Sequence, residues 1–405
     1  MSLGDVSDWI DEFVFKSEFC YAKILSANDT LATGGHQAGP YFPKSYVFEI
    51  FPEINTQQEK NPRLQFDLFI DSHADCKEVT AIYYNNKFFD GTRNEARLTN
   101  FGGASSALLN PESTGSLAVF AFVRNSLEKL ECHVWVCDHS TETELFESYL
   151  GPVEPKSDVF LKNGQPQVHN LFAVANNSCW LQSHEIPDAW LASFPTGREI
   201  IAKAVERRPL LGRDVDVRLL KRRECEFEIF KSVEEATFLP KIKQGFGDLG
   251  SFLDLAQSIL QSRKSRSGRS LEYHTLALFE EEGLVSGANF EHGITIETNK
   301  KPDFIFPSKA HYEDQSYPSS KLRMLAAKTT CKDRWRQILN EASRIEHKHL
   351  LTLQEGVSEN QFKEMVEAKV TLVVPKGLHK SYPENIRPHL LTLEEFIGDT
   401  RLLIT

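Results

Sequence analysis

The periodicity of apolar residues changes once along this 405-residue chain, near residue 180, and that change limits the fold more than any composition figure does. Before it, short apolar runs such as Leu64–Ile70, Val79–Tyr84, Leu117–Val123, His133–Val136 and Val159–Leu161 alternate with Gly, Asn, Asp and Pro. Short runs between turn formers read as strands, and many of them with few long helices point to a barrel or sandwich. One amphipathic helix is expected at 6–27, where Trp9, Ile10, Phe13, Val14, Tyr21 and Leu25 stand among acids. Beyond residue 180 the spacing becomes helical over 198–207, 214–235, 249–263, 270–283, 332–348 and 359–368. Short buried runs at 303–306, 321–327, 349–353 and 370–374 are interleaved with these helices, as in an α/β domain around a central mixed sheet. The chain is also too long for one ordinary core. We therefore expect two domains, 1–180 and 181–405.

The N-terminus is acidic and lacks the basic start and apolar core of a signal peptide, and no apolar run is long enough to span a bilayer. Seven scattered cysteines suit a reducing cytoplasm better than a disulfide framework. A net charge of −11 opposes phosphate binding by the surface as a whole. It leaves room for a local basic surface, so the placement of the basic residues matters more than their sum.

Three charged residues adjoin the apolar runs of the second half. Asp303 follows Lys-Lys-Pro at the head of Phe304-Ile-Phe, Lys328 ends the run from Leu322, and Glu341 lies in the amphipathic segment after it. Proline suits a strand's start, so Asp303 and Lys328 belong at strand ends. On a helix, Arg334, Gln337 and Glu341 would share a face. Two carboxylates can hold Mg²⁺ with coordination positions left open, and a lysine beside them can orient water and offset the charge of a pentavalent phosphate. Such residues also form ordinary surface ion pairs, and the trio alone does not decide between the two. The plainest nuclease spacing, with an acid two residues before the lysine, is not met: Ala326 stands there.

Other segments offer recognition chemistry. Arg263, Lys264, Arg266 and Arg269 are interleaved with serines, either a phosphate-contacting patch or a solvated loop before a helix. Glu272, near that helix start, is either a dipole-favoured acid or a fourth site residue. Lys332, Asp333 and Arg334 form a donor–acceptor–donor run suited to guanine and cytosine edges. Arg223 and Phe227, one helical turn apart, could stack on an exposed base or simply line a helix surface. In the first half, one loop offers His36, Gln37 and Tyr41, and another offers Arg93, Asn94, Glu95 and Arg97. The cysteines and histidines of 132–139 match no closed zinc spacing.

The run Lys328-Thr-Thr-Cys-Lys-Asp-Arg-Trp-Arg-Gln-Ile-Leu-Asn-Glu-Ala, with Leu353-Gln-Glu-Gly-Val-Ser, closely resembles the EcoRII restriction endonuclease family. So do Arg263-Lys-Ser-Arg-Ser-Gly-Arg-Ser-Leu-Glu, Lys300-Lys-Pro-Asp-Phe and the N-terminal Ser-Ala-Asn-Asp-Thr and Thr-Gly-Gly-His-Gln. The resemblance implies an N-terminal mainly-β DNA-binding pseudobarrel and a C-terminal PD-(D/E)XK nuclease domain whose second acid has moved onto the following helix. It implies a Mg²⁺-dependent site of Glu272, Asp303, Lys328 and Glu341, with Asp303 and Glu341 as ligands. Lys332, Asp333 and Arg334 would read the C:G pairs of a palindrome like CCWGG, and Arg223 and Phe227 would hold flipped central bases. The family carries a tyrosine where this chain has Phe227. His36, Tyr41, Arg93, Asn94, Glu95 and Arg97 would bind a second, effector copy of the site, although the family has further lysines where this chain has Gly91 and Ala96. A homodimer under allosteric control by effector DNA is the implied assembly. A repair or modification-dependent nuclease of the same fold, or an inactive DNA-binding regulator, are the competing readings.

Overall fold

A computed structural model of the chain describes residues 3–34, 39–163, 165–166, 179–297 and 300–404. The chain divides into two compact units, Met1–Leu171 with Gln354–Lys363 and Lys380–Arg387, and Phe172–Leu353 with Glu364–His379 and Pro388–Thr405.

The first unit is the mainly-β pseudobarrel expected of the first half. Its strands are β1 (Phe19–Ile24), β2 (Arg63–Ile70), β3 (Asp75–Tyr84), β4 (Glu95–Thr99), β5 (Leu117–Arg124), β6 (Leu130–Val136), β7 (Asp158–Lys162) and β8 (Gln165–Pro166), in the order β4-β3-β2-β6-β5-β1-β7-β8. The pair β2–β6 is parallel, while β1 and β5 run antiparallel. Its helices are α1 (Leu3–Trp9), α2 (Lys44–Ile50) and α3 (Ser140–Leu150). One sheet face packs an aromatic-rich core with Tyr21, Phe42, Tyr46, Phe51, Phe66, Phe120 and Phe122. The other face, with Ala22, Val119 and Trp135, packs against Trp9, Ile10 and Phe146. The helix expected over 6–27 does not run that far: α1 passes into a π-turn at Ile10–Val14, and Phe19–Ile24 becomes a strand. Bonded on both edges, to β5 and β7, and buried on both faces, that strand shows no alternation in sequence.

Two later segments complete this unit. The Ala27 N–H donates to Glu355 O at 2.8 Å, and Gly356 sits at φ +108° with Ala27 only 2.3 Å from where a Cβ would stand. That position requires glycine on both counts.

The second unit is α/β, with helices α4 (Asp188–Ala192), α5 (Gly197–Arg207), α6 (Val215–Gln244), α7 (Leu249–Glu281), α8 (Lys309–Glu313), α9 (Glu359–Glu367, which also enters the first unit) and α10 (Leu393–Ile404). Its mixed sheet contains β9 (Glu291–His292), β10 (Phe304–Phe306), β11 (Arg323–Lys328), β12 (Lys348–Thr352) and β13 (Val370–Val373), in the order β13-β12-β11-β10-β9. The β10–β11 pair is antiparallel, whereas β11–β12 and β12–β13 are parallel. Two expected helices, 249–263 and 270–283, are one continuous α7. The serines and glycine between them lie on a helix that α6 supports from the side through Arg263–Glu234 and Arg266–Glu226.

Cysteine usage also differs from expectation, because Cys179 and Cys225 are joined in a disulfide. The segment at 179–186 folds onto α6, with Cys179, Leu181, Ile186, Cys225 and Ile229 in one small core. Among the described residues, no helix is long and apolar enough to cross a membrane.

Candidate active site

The register Phe304–Leu325 between β10 and β11 brings Asp303 level with Ala326, so the start of one strand meets the end of the other. The Ala327 N–H donates to Asp303 Oδ2 at 2.8 Å, and Lys328 Nζ reaches the same oxygen at 2.9 Å. Phe304, Ile305 and Phe306 are fully buried and fix the strand, which leaves Asp303 partly exposed at its end. Ala326, where the plainest spacing would put the second acid, is itself fully buried in the sheet.

Glu341, the other candidate acid, comes from another direction. The expected helix at 332–348 is replaced by a 3₁₀ segment, Arg334–Asn340, with Glu341 as its extended C-cap residue. Trp335 and Ile338 are the buried pair, at the spacing of three that a 3₁₀ helix stacks on one side. Ala342, at φ +49°, then turns the chain away after this extended residue. One carboxylate oxygen of Glu341, Oε2, is buried with no hydrogen-bond partner among the described residues. Burial and, secondarily, the charge of Asp303 push its pKa up to about 7, against the opposing pull of Lys328 and Lys348. A carboxyl driven that far towards its neutral form, with an orphaned oxygen and a second carboxylate nearby, fits a divalent cation. Among the described residues no group of three or more His, Cys, Asp or Glu side chains could hold a metal. Two carboxylates suffice for a hard cation that keeps waters and takes phosphate oxygens as its other ligands.

Glu272, on α7, reaches the edge strand β9 beside β10. Its Oε2 lies 3.2 Å from His292 Nε2, and His292 is paired with Phe304, the residue after Asp303. His292 has no sequence signal, because its strand has two residues and no alternation. Lys332 and Asp333 occupy the turn between Lys328 and the 3₁₀ segment and Arg334 opens that segment, all three half-buried and within six residues of the candidate catalytic lysine.

The α6–α7 pair gathers the next set. Arg223 is buried and donates to Ser270 Oγ at 2.6 Å, and Ser270 in turn bonds Glu226. Glu226 is fully buried and also meets His274 Nε2 at 3.1 Å and Arg266 at 3.6 Å. Arg266 stands 5.2 Å from the Phe227 ring centre. Arg223 and Phe227 thus belong to one packed network rather than to an open surface. The basic run divides accordingly: Arg263 clamps Glu234 with two bonds of 2.7 and 2.9 Å, Arg266 is buried, and Lys264 is exposed.

In the first unit, Arg93 and Arg97 both bond Glu95, and Arg93 stacks 3.6 Å over Tyr84. Asn94 Oδ1 accepts from Lys44 Nζ at 2.6 Å and from the Tyr83 hydroxyl at 2.8 Å. Lys44 is a basic group that sequence reasoning did not assign. Tyr41 is exposed, with its backbone N–H on Asp29 Oδ1 at 2.8 Å. His36 and Gln37 lie outside the described residues.

Comparisons with known proteins fall on both units. The family model for the EcoRII C terminal matches residues 230–397, and that for the restriction endonuclease EcoRII N-terminal matches 15–165. The Type II restriction enzyme EcoRII of Escherichia coli is 44% identical over 405 residues, 98% of each chain. The Type II restriction enzyme SsoII of Shigella sonnei is 27% identical over 154 residues, 36% of this chain and 48% of that one. Among solved structures, metal-depleted Ecl18kI in complex with uncleaved, modified DNA matches with a TM-score of 0.42 at 19% identity, covering 53% of this chain and 81% of that one.

Proposed function

The chain belongs to the EcoRII family of Type II restriction enzymes, which makes it a site-specific deoxyribonuclease, and from that premise we propose that Asp303, Lys328 and Glu341 are its cleaving centre, with Glu272 as a fourth acid. The observation that carries this reading is the Asp303 carboxylate, fixed by the Ala327 N–H and the Lys328 ammonium near a Glu341 oxygen that no group among the described residues satisfies.

We assign Mg²⁺ to Asp303 and Glu341. When bound, it would neutralise phosphate charge and acidify a coordinated water. The protein's own part follows from the geometry. Asp303 is preset by a backbone donor, so its orientation costs nothing at the moment of reaction. Lys328, tied to the same oxygen, holds a positive charge where the water is oriented and where phosphorane charge develops. Lys332, Asp333 and Arg334, on the turn that follows, are the readers of the C:G pairs in a CCWGG-like palindrome. Arg223 and Phe227 are the receivers of flipped central bases, with Arg266 supporting the ring, and Lys264 is the phosphate contact of that region.

Residues 1–180 are the effector module, binding a second copy of the site through His36, Tyr41, Arg93, Asn94, Glu95 and Arg97 and thereby controlling cleavage by 181–405. A homodimer in the cytoplasm suits a palindromic target. The test is digestion of supercoiled plasmids carrying no, one or two CCWGG sites, with Mg²⁺ or EDTA, and sequencing of the ends. Double-strand cuts at one defined palindrome, abolished by EDTA and faster with two sites, are expected. Cutting at unrelated positions or without divalent metal overturns the proposal.

A further inference from the structure

Lys348, the first residue of β12, is only 5% exposed, although lysine is among the residues least often buried. Its ammonium donates to three backbone carbonyls: Glu341 O at 2.6 Å, Ile345 O at 2.9 Å and Ala342 O at 3.3 Å. An ammonium has three protons and no acceptor, so three carbonyls match its donors one for one. All three belong to the short turn that follows the 3₁₀ segment, and the closest is the carbonyl of Glu341 itself. A second anchor grips the turn separately. Glu297 accepts from Ser343 N at 2.9 Å and from Ser343 Oγ at 3.0 Å, and is itself held by Lys300 at 2.7 Å and by the Tyr312 hydroxyl.

We infer that Lys348 is a positioning residue for cleavage: by caging the carbonyls of 341, 342 and 345 it sets where the Glu341 carboxylate stands relative to Asp303. The inference rests on the reading of Glu341 as a carboxylate of the metal site. A carboxylate delivered by a strand is aimed by the sheet's own bonds. Here the 3₁₀ segment ends at Glu341, whose backbone is extended, Ala342 turns at φ +49°, and the residue lies outside the strands that a ladder would hold. The lysine supplies that constraint from the neighbouring strand β12, whose partner β11 carries Lys328. Lys348 thereby ties the placement of Glu341 to the sheet that places Asp303 and Lys328.

The test compares the full-length wild type with Lys348→Met, Lys348→Arg, Ser343→Ala and Glu341→Gln. Two quantities are read besides the melting temperature. One is the Mg²⁺ concentration for half-maximal plasmid cleavage, and the other is Ca²⁺ binding by calorimetry in the presence of duplex DNA carrying the site. Residues that orient metal ligands cost about 10–100-fold in metal affinity when removed, and Lys348→Met is expected to raise the Mg²⁺ requirement and weaken Ca²⁺ binding within that range. Lys348→Arg, which keeps donors in a less compact form, recovers part of the loss, and Ser343→Ala shows a smaller loss. If Lys348→Met does not fold, the Arg and Ser343→Ala variants decide: wild-type metal dependence in both overturns the inference. A lowered melting temperature with unchanged metal dependence makes Lys348 a structural staple and also overturns it. A Glu341→Gln protein with wild-type metal dependence would overturn the reading of the site itself, an outcome distinct from the failure of Lys348 alone.

Discussion

Lys328 Nζ lies 2.9 Å from Asp303 Oδ2, the oxygen that also accepts the Ala327 N–H. The backbone bond holds the carboxylate whether or not the ammonium is present. Lys328→Ala therefore removes the charge at the proposed reaction centre and leaves the Asp303 orientation in place. Removing one donor that stabilises a developing oxyanion costs about 10²–10³-fold in rate, and a loss at least that large is expected in single-turnover cleavage. Sequence-specific binding in Ca²⁺ should stay within about threefold, since one charge contact among many is lost. Retained cutting would remove Lys328 from the centre.

Arg334 heads the 3₁₀ segment six residues after Lys328, on a turn whose position the sheet end determines. A bidentate contact to a guanine edge is worth about 1–3 kcal/mol of discrimination. Arg334→Ala should narrow the preference for the cognate site over a single-substituted one by that amount, measured as a ratio of kcat/KM values. A variant that binds all duplexes more weakly with its preference intact would make Arg334 a phosphate contact instead.

The parts of this site differ in how legible they were. Asp303 and Lys328 could be placed from sequence because Pro302 marks a strand start, Phe304-Ile-Phe is an unbroken apolar run and Leu322–Ala327 is apolar apart from Arg323. Glu341 is visible as the acid of the segment after Lys328, its role comes only with the resemblance, and its expected helix is a 3₁₀ segment that it caps. Trp335, Ile338, Ala342 and Ile345 are all buried at spacings that an α-helix would give equally well, yet the backbone is 3₁₀ to Asn340 and extended at Glu341. The cage of Lys348 and the contact of His292 with Glu272 bring together residues on separate elements, and nothing local marks them. The burial of Arg266 depends on Glu226, forty residues earlier, so the basic run looked uniformly exposed in sequence.

Arg97 and Arg93 meet on Glu95, an acid whose pKa burial would raise but the two guanidiniums hold below the ordinary range. The acid keeps both arginines at one edge of the sheet. With Arg97→Ala, the concentration of added duplex carrying the site that accelerates cleavage should rise by at least about tenfold, the scale of one lost charge-assisted contact of about 1.5–3 kcal/mol. Basal cleavage of a single-site plasmid should not change. Undiminished stimulation would place the effector surface elsewhere.

His349 gives the fold a pH dependence with a calculable sign. It lies in β12 against Phe396, and burial, followed by the charge of Arg323, lowers its pKa to about 4 from 6.5. The folded protein therefore keeps the imidazole neutral, while the unfolded chain binds a proton below about pH 6.5. The stability it contributes is complete above that pH, declines as the pH falls from 6.5 towards 4, and is fully lost below. One pKa unit corresponds to about 1.4 kcal/mol, so at pH 5 the deficit from this residue is about 2 kcal/mol. His349→Phe keeps a ring against Phe396 and has no proton to bind. Urea unfolding at pH 7.5 and pH 5 should show the wild type losing about 2 kcal/mol more than the variant between the two. Equal losses would mean that His349 is protonated in the folded protein, and the burial argument for β12 would then fail at this residue.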